Sequence, residues 1–257
     1  MRILVRTSKW AVWSRRIGAL ALPLAIIPVF LHRSHYIPSE TFVVIEAVAL
    51  ALAAMAAFAG LVAIVRLWFT GDRGWGRAVF GFLFGAICLA PAAWLAFEAI
   101  RLPATPDVST DFNNPPSLVS FVPARFLSAD ERTRIEEAFP NARSRTYPIA
   151  VADMYPIVEN LMISRGWDIR TRTLPVNAFD AGQINAIATT LLGWRQEVVL
   201  RITGSADGST IAMRSASLSD FHDFAENGHR VEAFLLELDS LVTLTLRDAP
   251  ATPAATE

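Results

Sequence analysis

Three long runs of apolar residues dominate the first hundred positions of the chain. The second run, residues 43–65, reads VVIEAVALALAAMAAFAGLVAIV and contains one ionisable residue, Glu46. Because a helix rises 1.5 Å per residue, about 20 apolar residues span the hydrocarbon core of a bilayer. The pattern therefore predicts three transmembrane helices, at about residues 11–31, 43–65 and 78–100.

The first of these runs is the shortest, since its apolar core covers residues 17–31 and is interrupted by Pro23 and Pro28. Apolar cores of this length also occur in secretory signal peptides. The residues that follow do not form a small-residue cleavage site, and Arg15 and Arg16 can extend their side chains toward the interface. We therefore expect an uncleaved span.

Beyond residue 101 the apolar periods become shorter and polar residues separate them. The proline-rich stretch 102–127 predicts an extended tether. The residues SADE at 128–131 predict a capping box that starts a short helix ending near residue 139. Apolar residues three and four apart predict two amphipathic helices, at about 151–166 and 224–242. Pro156 lies inside the first of these, so the helix either kinks or begins there.

Apolar and polar residues alternate between these two helices, which predicts strands at residues 167–173, 183–192, 197–203 and 210–217. Consecutive strands without intervening helices favour antiparallel pairing. The predicted fold is a three-helix membrane region over 1–101, followed by an α+β domain over 128–248. The domain should contain an antiparallel sheet of about four strands with helices on one face. Residues 249–257 are predicted to be a disordered tail.

Charge is distributed unevenly between these regions. Residues 1–101 contain 10 of the 23 basic residues and only 4 of the 24 acidic ones. Basic residues precede the first span and fill the loop at 66–77, so the positive-inside rule places the N-terminus in the cytoplasm. We therefore expect a multi-pass membrane protein, in contact with the lipid bilayer, whose C-terminal domain lies on the far side. In a bacterium this means the inner membrane and a periplasmic C-terminal domain.

The composition excludes several functions. Residues 102–257 hold 13 basic residues against 20 acidic ones, which argues against nucleic acid as a partner. The single cysteine, Cys88, excludes an intrachain disulfide and a cysteine-based zinc site. We expect no cofactor.

Small residues recur at four-residue spacing in two of the predicted spans, at Ala49, Ala53, Ala57, Gly81 and Gly85. Such spacing allows helices to approach closely. Packing within the three-helix region is the favoured interpretation. Association of copies of this chain, or association with another membrane protein, is the alternative.

A polar cluster is predicted where the last helix meets the last strand. At 100° per residue, Asn227 falls within the buried stripe of the helix, and Asp223 and Arg230 lie on one flank of it. Ser215 and Ser217 point to the same side of the strand. A structural cap is the favoured interpretation, and a ligand site is the alternative.

Two kinds of chemistry are disfavoured for this region. A metal site would have to use His222, Asp223, Glu226 and His229, but His222 precedes the helix and no third ligand has suitable spacing. A hydrolase would have to use Ser217, His222 and Asp220, but the sequence has no nucleophile elbow or oxyanion loop.

Strand alternation also predicts a basic sheet face away from the helices, formed by Arg170, Arg172, Arg201 and Arg214. Such a face can bind lipid head groups or an acidic partner. A solvated face balanced by Asp168 and Glu197 is the favoured alternative.

Four motifs carry a family resemblance: DVSTDFNNPPSL at 107–118, AFPNA at 138–142, GWDI at 166–169 and RSAS at 214–217. Together with Asp223, Phe224, Asn227 and Arg230, they resemble the bacterial family known as domain of unknown function 1499. Two positions depart from the family pattern: Leu218, where the family usually has arginine, and Ala225, where it often has glycine. The resemblance covers about residues 105–242 and implies no particular activity.

These observations favour a non-enzymatic envelope binding module that recognises a lipid or anionic partner. Its candidate ligand-binding residues are Arg214, Ser215, Ser217, Asp223, Asn227 and Arg230. A structural or accessory subunit of a membrane protein complex is the alternative, and a hydrolase is a distant third.

Overall fold

The computed structural model describes residues 6–101, 104–120, 127–178, 180–206, 208–219 and 223–248. The chain forms two compact units. One comprises Met1–Arg101 with Leu191–Trp194, and the other comprises Leu102–Thr190 with Arg195–Glu257.

The first unit is built from three helices: α1 (Lys9–Arg33), α2 (Ser39–Thr70) and α3 (Trp75–Arg101). Each is long and apolar enough to cross a membrane, which confirms the three predicted spans. All three helices extend beyond those spans, because helical hydrogen bonding continues through the polar residues at their ends.

The glycines of α3 lie at the contacts between these helices. A methyl group at Gly81 would clash with Ser14 of α1. One at Gly85 would come within 2.5 Å of the Ala53 carbonyl oxygen of α2. Ser14 in turn donates a hydrogen bond to the Ala56 carbonyl oxygen at 2.9 Å. The two glycines thus serve packing within the bundle, the favoured one of the two interpretations.

The second unit is an α+β domain with an antiparallel sheet, as predicted. Its strands are β1 (Asp107–Ser109), β2 (Arg145–Tyr147), β3 (Asp168–Thr173), β4 (Ala181–Thr189), β5 (Arg195–Ser205) and β6 (Gly208–Ser217). Its helices are α4 (Ala129–Ala138), α5 (Val151–Ser164) and α6 (Glu226–Asp248). The strand order is β1-β6-β5-β4-β3, and β2 also pairs with β6. The sheet has six strands instead of about four, because β1 and β2 span three residues each and are too short to show alternation.

The core lies on the face of the sheet that α5 and α6 cover. Ile184, Leu200 and Met213 stand side by side on β4, β5 and β6, and all three are fully buried. Met154 of α5 and Phe234 of α6 belong to the same buried cluster. The predicted helical stripes and strand alternation meet here and exclude water from this face.

The helix boundaries follow local signals in the sequence. The predicted capping box is present, since the Ser128 hydroxyl accepts from the Glu131 N–H and the Glu131 carboxylate accepts from the Ser128 N–H. Helix α5 begins at Val151 and continues through Pro156, so the proline does not mark its start. Gly166, with φ of 71°, follows the end of α5 in the left-handed region that glycine tolerates.

The basic sheet face is predicted wrongly at Arg172. The register between β3 and β4 shifts between Ile169 and Thr171, and this irregularity reverses the alternation beyond it. Arg172 therefore pairs in register with the core residue Ile184, and its Nε donates to Glu159 of α5 at 2.5 Å. Arg170 lies at the irregularity and forms an ion pair with Asp168.

Residues 104–120, hereafter the covering segment, lie within the domain. Strand β1 pairs with β6, and the Thr110 N–H continues this contact by donating to the Met213 carbonyl oxygen at 2.9 Å. The segment then crosses the outer face of the sheet as far as β4, where Gln183 donates to the Ser117 carbonyl oxygen. The predicted tether at 102–127 is therefore wrong over this segment, because side chains of the sheet satisfy its polar main-chain groups. Residues 102–103 and 121–126, and the predicted disordered tail at 249–257, lie outside the described residues.

Candidate functional site

Helix α6 starts two residues later than the apolar pattern predicts. Phe224 and Ala225 have φ of 51° and 62°. This region costs a residue with a Cβ on the order of 1–2 kcal/mol. Glycine would avoid that cost, so Ala225 holds backbone strain that a glycine at this position would not. The turn places Asp223 ahead of the helix, where its Oδ2 lies 3.4 Å from the Asn227 N–H.

Asp223 also holds the covering segment. Its Oδ1 accepts from the Thr105 N–H at 2.8 Å, and its Oδ2 accepts from the Thr105 hydroxyl at 3.0 Å. Both residues are buried. The carboxylate therefore serves as a helix cap, as favoured from the sequence, and as an anchor for a segment 118 residues earlier.

Asn227 lies at the centre of the polar contacts and is fully buried. Its Oδ1 accepts from the Ser215 hydroxyl at 2.7 Å, and its Nδ2 lies 2.9 Å from the Ser217 Oγ. The same Nδ2 lies 3.2 Å from the Thr105 carbonyl oxygen and 3.2 Å from Asp223 Oδ2. The helix-side cluster is formed by Thr105, Ser215, Ser217, Asp223 and Asn227. The Asn227 Nδ2 donors are engaged within this cluster, and full burial keeps the amide out of reach of a ligand.

Arg230 lies beside this cluster with 9% of its side chain exposed. It donates to Gln196 Oε1 and, at 2.9 Å, to Glu226 Oε1 one turn earlier. Burial raises the pKa of the Glu226 carboxyl and lowers the pKa of the Arg230 guanidinium, and the ion pair opposes both shifts. Asp220, which the sequence places near this helix start, lies outside the described residues.

Arg214 lies on the opposite face of the sheet from this cluster. Its Nε and Nη2 donate to the two carboxylate oxygens of Asp107 at 2.9 and 2.6 Å, and its Nη1 donates to the Pro116 carbonyl oxygen at 3.2 Å. The hydrogen bonds to Asp107 raise the pKa of Arg214 against the opposing effect of burial. All three nitrogens of this guanidinium therefore donate to groups of the covering segment, which leaves little for an anion to bind.

Glu197 is buried under the covering segment instead of lying on a solvated surface. Its carboxylate accepts from the Val119 N–H at 2.6 Å, the Ser120 N–H at 2.9 Å and the Asn185 amide at 2.9 Å. Burial alone disfavours the ionised form, but these hydrogen bonds outweigh it and hold the pKa of Glu197 below its ordinary value.

Arg201 completes this face by donating to Asp111 Oδ2 at 3.0 Å and to the Asn114 carbonyl oxygen at 2.7 Å. The outer-face cluster is formed by Asp107, Asp111, Asn185, Glu197, Arg201 and Arg214. The two arginines that do project from this face, Arg201 and Arg214, thus contact the chain itself.

The candidate ligand residues consequently fall into two places. Ser215, Ser217, Asp223 and Asn227 come together, Arg230 adjoins them, and Arg214 lies across the sheet. Among the described residues, no group of three or more His, Cys, Asp or Glu side chains is arranged to hold a metal ion. His222, which both the metal and hydrolase interpretations require, lies outside the described residues.

A cleft of about 260 Å³ adjoins the helix-side cluster. It is lined by Ala104, Thr105, Pro106, Asp107, Leu127, Glu131, Arg134 and Ile135. Thr105 belongs to the helix-side cluster and Asp107 to the outer-face cluster, and both residues also line this cleft.

Residues 107–238 match the family model described as "Protein of unknown function (DUF1499)". The chain belongs to the DUF1499 family. The matched range contains the whole outer-face cluster, and all of the helix-side cluster except Thr105. No curated protein and no solved structure matches the chain.

Sequence reasoning missed the partners that hold the DUF1499 residues in place. Thr105 and Gln196 carried no motif signal, and Glu197 was expected on the surface. Asp107 and Asp111 offered a signal, because both lie in the DVSTDFNNPPSL motif. An acidic motif residue and a motif arginine in one acidic domain are candidates for an ion pair.

Proposed function

We propose that this DUF1499 protein is a non-enzymatic accessory protein of the cell envelope. The observation that supports this most is that Asn227 is fully buried and its amide contacts Ser215, Ser217, Asp223 and Thr105. Catalysis needs a nucleophile, acid or base with an atom directed at substrate. The same side chains here connect α6, β6 and the covering segment, which is a structural task.

The anchor belongs to the bacterial inner membrane in this proposal, with a cytoplasmic N-terminus and a periplasmic domain. Arg6 and Lys9 precede or begin α1, and Arg73 and Arg77 lie where α2 gives way to α3. The positive-inside rule assigns this end to the cytoplasm. C-terminal fusions test the orientation: alkaline phosphatase should be active and a cytosol-dependent fluorescent protein dark. The reverse pattern would refute it.

The partner of an accessory protein would cover apolar groups that the domain leaves in water. Leu174 and Val176, on the loop between β3 and β4, are 65% and 86% exposed, and Leu236 on α6 is 68% exposed. Branched aliphatic side chains this exposed mark candidate contact points, although single exposed residues are common.

Site-specific photo-crosslinking in intact cells tests this role. A photoreactive residue at Leu174, Val176 or Leu236 should give one protein adduct of discrete mass, and the same residue at exposed Asn113 should not. Adducts at none of these positions, together with hydrolysis of an ester or phosphoester by the purified protein that Ser217→Ala abolishes, would replace the accessory role with an enzymatic one.

Recognition of a lipid or anionic partner by the domain is the second candidate, and the cleft beside the helix-side cluster favours it. Arg134 lines this cleft, whereas Arg143 is equally exposed but lies outside it. Arg134→Gln should weaken binding of an anionic lipid or peptide by about fivefold, on the order of one charged contact near a surface. Equal effects of Arg134→Gln and Arg143→Gln would contradict a site in the cleft.

A further inference from the structure

One end of the membrane unit concentrates positive charge. The Ser8 N–H donates to the Arg73 carbonyl oxygen at 3.1 Å, and the Arg73 N–H donates to the Arg6 carbonyl oxygen at 3.1 Å. These bonds tie the chain before α1 to the loop before α3, so the starts of both helices meet at one end. The cations at this end are Arg6, Lys9, Arg15, Arg16, Arg66, Arg73 and Arg77, against the single carboxylate of Asp72.

A groove of about 580 Å³ opens at this end between α1 and α3. It is lined by Thr7, Val12, Arg15, Arg16, Ala19 and Arg77. The three arginines are exposed, and no carboxylate among the described residues forms an ion pair with them. Arg16 stacks on the Trp13 ring at 5.8 Å instead. The groove thus offers three guanidinium groups that have no carboxylate counter-ion within the described part of the chain.

The depth of these arginines in the membrane indicates which chemical group neutralises their charge. Arg15 lies six residues after Lys9, which places its Cα about 9 Å along the axis from the start of α1. Trp10 and Trp13 precede it in the same helix, and tryptophan favours the level of the lipid head groups. Placing a guanidinium at this depth costs free energy unless an opposite charge lies nearby. The oxygens of a phosphodiester can accept hydrogen bonds from the planar N–H groups of the guanidinium.

An apolar groove of about 420 Å³ lies on the neighbouring side of α1, toward α2. It is lined by Lys9, Trp10, Trp13, Ile17, Met55, Phe58 and Ala59. Trp13 lines this groove and also carries Arg16 on its ring, so the two grooves adjoin. A phosphate in the basic groove therefore has an apolar surface beside it that fits an acyl chain.

We propose that the groove between α1 and α3 binds the phosphate of an anionic glycerophospholipid through Arg15, Arg16 and Arg77. A zwitterionic lipid brings an ammonium group toward the same three cations, so the site selects for net negative charge. This site lies in the membrane unit and does not depend on the accessory role proposed for the domain.

Native mass spectrometry of the full chain in detergent tests the site with phosphatidylglycerol and phosphatidylcholine of equal acyl length. The wild type should retain phosphatidylglycerol preferentially. Arg15→Gln with Arg77→Gln should weaken that binding about twenty-five-fold, since each arginine near an anionic surface contributes about fivefold, and should leave phosphatidylcholine binding unchanged. The matched control, Arg66→Gln with Arg73→Gln, removes the same charge from the same end but outside the groove, and should bind almost as the wild type does.

Three results would overturn the proposal. The first is unchanged phosphatidylglycerol binding by the Arg15/Arg77 variant. The second is an equal loss in the Arg66/Arg73 variant, which would show a diffuse charge effect. The third is displacement of the lipid by millimolar inorganic phosphate, which would make the site one for the free ion. Equal thermal unfolding temperatures of both variants ensure that a loss of binding reports on the groove.

Discussion

On the helix side of the sheet a neutral amide, Asn227, organises the polar contacts, whereas on the outer face ionised groups such as Glu197 and Arg214 do so. Both clusters hold the same covering segment, at Thr105 on one side and at Val119 and Ser120 on the other. The hydrogen bonds of a neutral amide depend on geometry and exclusion of water, and they should respond little to pH or salt. An ionic cluster depends on its charge state, so substitutions on the outer face should have pH-dependent effects on stability and the Asn227 substitution should not.

The largest effect is expected from Asn227→Ala. The substitution leaves the hydroxyls of Ser215 and Ser217 and the Thr105 carbonyl without their partner, and each unsatisfied buried group costs about 1–3 kcal/mol. We expect at least about 3 kcal/mol of destabilisation at every pH, measured by urea unfolding of the full chain in detergent. Asn113→Ala, at an exposed position, should change stability by less than about 0.5 kcal/mol. A small effect at Asn227 would show that the cluster does not hold the segment.

Glu197→Gln should cost about 2 kcal/mol at neutral pH, because hydrogen bonds to a charged acceptor contribute about 1.5–3 kcal/mol. The folded pKa of Glu197 lies below the ordinary value of about 4.3, so ionisation stabilises the fold above that pH. As the pH falls through the folded pKa, the wild type loses this stability and the two unfolding curves converge. A pH-independent difference would refute the ionic account of the outer face, and exposed Glu137→Gln serves as the control.

Arg214→Lys should cost about 1–2 kcal/mol, because lysine cannot reproduce the bidentate contact with Asp107 or the bond to Pro116. The comparison is Arg170→Lys. Arg170 also pairs with an aspartate, Asp168, but the two side chains are 50% and 61% exposed. An exposed pair contributes about 0–1 kcal/mol, so Arg170→Lys should be nearly silent in thermal unfolding. Equal effects of the two substitutions would mean that burial does not strengthen the Arg214 contact.

The smallest effect is expected from Ser217→Ala, below about 1 kcal/mol, since the Asn227 amide keeps other acceptors and Ser217 is only partly buried. Ser215→Ala should cost more, because its fully buried hydroxyl is the donor to Asn227 Oδ1. The reverse order would indicate that the cluster is organised around Ser217.

Local periodicity was sufficient to predict much of this fold. The three spans, the four longer strands and the inward side of Asn227 follow from spacing in the sequence alone. Arg172 was misplaced because a single register shift in β3 reverses alternation, and periodicity carries no sign of such a shift.

The contacts that close the two clusters were missed for a different reason. Thr105 meets Asn227 from 122 positions away, and Asp107 meets Arg214 from 107 positions away. Pairings this distant depend on how the whole domain folds. The prolines of the covering segment also concealed it, because a proline-rich composition is typical of a linker. In the structure the segment's carbonyl oxygens at Asn114 and Pro116 accept from Arg201 and Arg214.

Strand β3 is an edge strand of the sheet, and its register shift and charged residues affect how crowded copies of the protein associate. Proteins confined to a membrane plane collide often, and an unprotected edge strand can pair with a strand of another molecule and extend the sheet. The irregular backbone at Arg170 disfavours such growth, and so do the charged side chains at every second position of the strand, Asp168, Arg170 and Arg172. Many copies can therefore share a patch of bilayer without polymerising through this strand.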